Sequence, residues 1–161
     1  MDREAAKQIL QSFAKAVCSV FHELTEQELA PQGVEKAESL ILKASGAVVI
    51  LGFNGAFSGR VLISMPKEMA SFIHESLMDE KPNDEDLLLT ISEFGNMVSG
   101  NAITVVNNIF KGANVRLSPP SSFVGDDLTF FNFKMSAFNM VFKAQNGTLR
   151  MNVALREEKR E

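Results

Sequence analysis

Glu93 and Asn96 stand three residues apart in the segment SEFGNMVSGNA, residues 92–102. Their types suit work on a polar partner. A carboxylate forms charge-assisted hydrogen bonds to cationic or polar groups and can act as a base. A primary amide both donates to and accepts from water, and it adds no charge beside an anion. Around them are small and apolar residues, with Gly95 and Gly100 diluting what is otherwise a helical pattern. Other chemistries find less support. Cys18 is the only cysteine, which excludes a disulfide framework and a cysteine zinc site and leaves a buried, inert thiol as the reading. His22 and His74 are far apart in the chain and fall on different predicted helices, where ordinary surface or half-buried roles are expected.

The segment needs a helix to hold it. Apolar spacing predicts one from Asp84 to about Phe110, ended by Gly112, with Asp84, Glu85 and Asp86 in the first turn where the dipole favours acids. At about 100° per residue, Glu93, Asn96, Gly100, Thr104 and Asn107 share one face, together with Asp86 and Leu89. Leu87, Ile91, Phe94, Val98, Ala102, Val105 and Ile109 take the opposite side. Gly95 and Ser99 flank that apolar side, where a small residue lets another backbone come close. A polar stripe of this kind is commonly a solvated face. This one is rich in Asn and Gly, which are poor helix formers, and carries no Lys or Arg between Lys81 and Lys111. A flat, uncharged, amide-rich surface suits docking.

The rest of the chain supplies the frame. Residues 2–26 read as an amphipathic helix capped by Asp2, and Pro31 and Gly33 then open a loop or an edge strand. Two apolar runs flank Asn54-Gly55, and two more, Ala137–Ala144 and Thr148–Leu155, flank Asn146-Gly147; both predict hairpins with type I′ turns. Pro66 opens a helix that runs to about Met78. Val115–Leu117 predicts a short strand stopped by Pro119-Pro120, and Asp126-Asp127 a turn. Together these give an α+β class: an antiparallel sheet with helices packed on one face.

Composition bounds the partners. With 161 residues, 45% of them hydrophobic, a single domain over 1–161 is expected. A net charge of −4 and the lack of a basic block argue against nucleic acid. No apolar run approaches a membrane span, and the charged start lacks a signal peptide's pattern, so a cytoplasmic protein is expected.

Glu93, Asn96 and, after twenty-two intervening residues, Pro119 form a pattern that resembles the signature of the CheC/CheX/FliY family of bacterial chemotaxis phosphatases. The surrounding residues, Glu93–Ala102 and Leu117–Ser121, are most similar to its CheX branch, and the element order agrees along nearly the whole chain. Only one E-x-x-N copy is present, where CheC-like members carry two. The resemblance implies a phosphatase acting on the aspartyl phosphate of a CheY-like response regulator. It implies that Asn96 orients the attacking water and that Glu93 docks the regulator, with Leu89, Met97, Gly100 and Asn101 as partner contacts and Pro119 as a scaffold element. Met97 suits partial core burial equally well. The family usually has Ser or Asp at the position of Leu89, so the rim of the site differs here. No cofactor is expected on this chain, and Mg²⁺ is expected on the regulator's own acidic residues. A homodimer is implied as well, and strands with Phe138, Met140 and Phe142 offer apolar edges for it. The alternative is a non-catalytic adaptor related to flagellar switch proteins.

Overall fold

In the computed structural model, residues 1–39, 41–131 and 135–158 are described. Helix α1 (Arg3–Thr25) begins where the Asp2 carboxylate accepts from the backbone N–H groups of Glu4 and Ala5. Its stripe of Ile9, Phe13, Val17, Val20 and Phe21 is at most 1% exposed. Helix α2 (Lys67–Met78) follows Pro66, which occupies its N-cap. Helix α3 (Asp84–Ile109) starts in a reciprocal capping box. There Asn83 Oδ1 accepts from the Asp86 N–H at 2.9 Å, and Asp86 Oδ2 accepts from the Asn83 N–H at 3.0 Å.

Among the described residues seven strands form one antiparallel sheet: β1 (Ala30–Lys36), β2 (Ile41–Asn54), β3 (Phe57–Met65), β4 (Arg116–Leu117), β5 (Ser121–Phe131), β6 (Ser136–Ala144) and β7 (Gly147–Glu157). Their order is β1-β6-β7-β3-β2-β4, with β5 also paired to β2. The two predicted hairpins meet through β3 and β7 at the centre. Strand alternation sorts the side chains. Val49, Leu51 and Phe53 of β2, Val61 and Ile63 of β3, and Met151 and Val153 of β7 share one core with the helices. Val48 and Leu62 turn the other way, into a small second cluster with Ala44, Ile50, Leu128 and Phe130. The expected α+β architecture with helices on one face is what the chain forms.

Several local expectations are corrected. Neither Asn54 nor Gly55 has a positive φ, so the first hairpin turn is not type I′. Glycine is needed at 55 for space: a Cβ there would lie 2.7 Å from Asn114 O and 2.8 Å from Val115 Cα. In the second hairpin Ala144 pairs with Gly147, which makes Gln145-Asn146 the two-residue turn. Asp126-Asp127 is no turn either. It lies inside β5, where Asp127 takes φ 58 opposite a register shift between Ala44 and Gly46 of β2. β2 begins at Ile41 and keeps its pairing with β5 on both sides of that bulge.

Pro119-Pro120 does not turn the chain. Leu117 pairs with Phe53 and Ser121 with Ile50, both antiparallel to β2. The chain keeps its direction across the prolines while the register slips by one residue. Prolines without N–H groups fit such a slip on an outer strand. The apolar residues named as edge candidates are also relocated: β6 is paired on both sides, and Met140 and Phe142 are each 1% exposed. The sheet edge beyond them is β1, all of whose residues are exposed.

Candidate functional site

Helix α3 crosses the sheet with Leu87, Ile91, Phe94, Val98 and Ala102 buried beneath it. Gly95 makes the closest approach. A Cβ at this position would stand 2.7 Å from Val49 Cγ1 and 3.0 Å from Leu51 Cδ1. Ser99, one turn later, is fully buried. Val105 and Ile109 depart from the expected apolar side and are each 44% exposed. They line a groove with Gln8, Ser12, Lys15 and Asn101, because α1 packs along α3 beside them rather than over them. Ile103 and Val106 take the buried positions instead.

The outer face presents the other residues. Glu93, Asn96 and Asn101 are exposed, and Leu89 is the most exposed large apolar residue among those described, at 71%. The side chains of Glu93 and Asn96 make no ion pair or hydrogen bond among the described residues. Both are therefore free to meet groups from outside. A Cβ at Gly100 would find nothing within 4 Å, so open space lies one turn beyond Asn96. Met97 is half-buried and packs against the core, the second of the two roles weighed for it. Pro119 is exposed, in the slip between β4 and β5. Cys18, away from this face, is half-buried near Leu29 O, and burial pushes its thiol pKa up, which disfavours the reactive thiolate.

Two residues of the predicted docking face have internal partners. Thr104 Oγ1 donates to Gly100 O at 2.9 Å, inside the helix. Asn107 is a clamp: its Nδ2 donates to Val115 O and its Oδ1 accepts from the Val115 N–H, both at 2.9 Å. Sequence spacing could not separate this inward amide from the outward ones. The clamp ties the end of α3 to the residue that leads into β4. Asn107→Ala should lower stability by about 1–3 kcal/mol, because it strands both polar groups of the buried Val115. Chemical denaturation measures this; an unchanged midpoint would show that water replaces the clamp.

Sequence reading gave His74 an ordinary role and did not connect it with Glu80 or Asp86. The fold brings the three together where α2 meets α3. The signal available in the sequence was slight, since the loop between the helices decides which side chains converge.

The sequence profile of the family described as Chemotaxis phosphatase CheX matches residues 47–142. No curated protein matches. Among solved structures, a chemotaxis protein CheX from Desulfovibrio desulfuricans superposes with a TM-score of 0.83 at 20% identity, covering 92% of this chain and 99% of that one. A CheX from Vibrio vulnificus gives 0.82 at 22% identity, covering 92% and 99%. A CheX from Borrelia burgdorferi, solved as a CheX–CheY–BeF3–Mg²⁺ complex, gives 0.76 at 25% identity, covering 92% and 97%. No helix is long and apolar enough to cross a membrane among the described residues.

Proposed function

The chain belongs to the CheX family of chemotaxis phosphatases, whose profile spans more than half of its length, and on that premise we propose that Asn96 and Glu93 hydrolyse the aspartyl phosphate of a CheY-like response regulator. The observation that carries the reading is the pairing of an unpartnered amide and an unpartnered carboxylate on an outward face with free space beside them. A complex of a related CheX with CheY and Mg²⁺ supports the choice of partner.

An aspartyl phosphate is an acyl phosphate and is already labile. Its hydrolysis gains most from holding one water in line with the breaking P–O bond. Asn96 does this by donating to and accepting from the water without adding charge near the phosphoryl oxygens. A carboxylate in its place would repel them. Glu93, one turn earlier, pairs with a lysine or polar group of the regulator and sets the docking register. Leu89 adds an apolar contact at the rim, Asn101 borders the site, and Gly100 leaves room for the partner. The regulator's own carboxylates would hold Mg²⁺, which would supply positive charge to the phosphoryl group. A cytoplasmic location and a homodimer complete the proposal.

Gly100 offers a test that separates docking from folding. Gly100→Ala removes a flexible residue from a helix interior where a Cβ meets nothing. Stability should rise by about 0.5–1 kcal/mol. Docking should weaken at the same time, because the methyl group enters the space left for the regulator. Calorimetric affinity for the regulator carrying a non-hydrolysable phosphoryl mimic, measured beside thermal unfolding, checks both signs. A variant that is more stable and binds as well as the parent would remove Gly100 from the site. An adaptor, by contrast, would bind the regulator without shortening the life of its phosphate.

A further inference from the structure

Three side chains that the phosphatase reading leaves unused converge where α2 meets α3. His74 is 6% exposed, and its Nδ1 lies 2.9 Å from the Thr90 hydroxyl. Its other ring nitrogen, Nε2, is buried and has no hydrogen-bond partner among the described residues. The nearest charged group is Glu80 Oε1 at 3.7 Å, too long for a hydrogen bond. Asp86 completes the group: one donor atom from each of His74, Glu80 and Asp86 lies within 4.8 Å of the others.

We propose that His74 Nε2, a Glu80 oxygen and an Asp86 oxygen bind a divalent ion of the zinc class, with water filling the remaining positions. A buried ring nitrogen without a partner is costly, and a metal ion satisfies it. The Thr90 hydroxyl can accept from Nδ1–H, which fixes the tautomer that presents a lone pair at Nε2. Asp86 is oriented too, since its Oδ2 accepts from the Asn83 N–H in the capping box and leaves Oδ1 for a ligand. With metal–ligand bonds of about 2.0–2.2 Å, tetrahedral ligands stand roughly 3.3–3.5 Å apart. The group must therefore contract by about an ångström or slightly more. Glu80 can supply part of that movement, because its side chain is 61% exposed and it follows the αL cap Asp79, and the half-buried Asp86 side chain must close the remaining gap to His74. One imidazole with two carboxylates suits Zn²⁺, Co²⁺ or Ni²⁺ better than Mg²⁺ or Ca²⁺. Asp86 precedes Glu93 by two helical turns, or about 10 Å of rise. The ion thus clamps the α2–α3 connection to the start of the helix and stays outside the reacting centre.

The test uses the full chain without a histidine tag, and it does not depend on the phosphatase reading. Titrated with Zn²⁺ in a calorimeter, the protein should bind one ion and unfold at a higher temperature when loaded. Co²⁺ in its place should give the visible absorption of a low-symmetry site. Glu80→Gln and Asp86→Asn should each weaken Zn²⁺ binding at least about tenfold, and His22→Gln should leave it unchanged. Glu80→Gln keeps the test decisive even if a variant at the buried His74 fails to fold, because Glu80 is exposed. No binding at about 100 µM Zn²⁺, or equal binding by the parent and Glu80→Gln, would overturn the proposal.

Discussion

Asn96→Ala is expected to cut the rate at which this protein dephosphorylates its regulator by about a hundredfold or more, the scale of losing an oriented reactant. Binding of the regulator should change far less, since the proposed docking residues Glu93 and Leu89 remain. The fold should not suffer. Asn96 is exposed and makes no internal side-chain bond, and alanine is the better helix former by up to about 0.7 kcal/mol. The loss would therefore sit in turnover and not in folding or affinity. Asn96→Asp sharpens the point. It nearly keeps the shape but places a carboxylate beside the phosphoryl oxygens, so it should fail as badly as alanine. The measurement is the decay of the phosphorylated regulator under single-turnover conditions, with affinity taken from a non-hydrolysable phosphoryl mimic. An alanine variant as fast as the parent would take the water-orienting role away from Asn96.

Gly95→Val should produce the largest change in stability. Most glycines in a helix interior gain from a side chain, by about 1 kcal/mol for alanine. Here the sign reverses. The first added carbon already stands 2.7 Å and 2.8 Å from the two methyl carbons of Val49, on strand β2. Val49 is fully buried and β-branched, so it has little rotamer freedom with which to yield. Overpacking of this kind costs about 1–3 kcal/mol, and valine adds two further methyl groups. For a domain of this size the melting temperature should fall by about 2–4 °C per kcal/mol. The displaced helix should also lose dephosphorylation rate, because Asn96 follows directly. An unchanged melting temperature would mean that α3 and β2 can part without cost. Gly100→Ala, five residues on, is expected to do the opposite, and the contrast between these two glycines is the test of how the helix sits.

The fold class and the placement of the site helix were legible because both rest on short-range signals. Asp2 and Pro66 are local signals for helix starts, and the apolar spacing of α3 assigned Leu87, Ile91, Phe94 and Val98 to the core. The exposures of Glu93, Asn96 and Leu89 follow from the same spacing. What failed rested on contacts distant in the chain. Asn54-Gly55 has the composition of a type I′ turn, but the segment through Asn114 and Val115 packs against it and sets its conformation. Asp126-Asp127 has turn chemistry, yet pairing with β2 draws it into a strand and leaves only a bulge. Asn107 looks like its outward neighbours until the clamp to Val115 is seen. His74, Glu80 and Asp86 fall on two helices and their connection, and no spacing rule joins them.

Helix α3 is held at three points: the Asn83–Asp86 box at its start, the contact of Gly95 with Val49 in its middle, and the Asn107–Val115 clamp near its end. Its outer residues therefore sit on a backbone with little freedom left to lose. Local opening should be rare there, because its start, middle and end are each fixed. In the proposed reaction, ordering costs would fall on the side chains of Leu89, Glu93 and Asn96 and not on the main chain, which would leave more of the contact energy for holding the water in place.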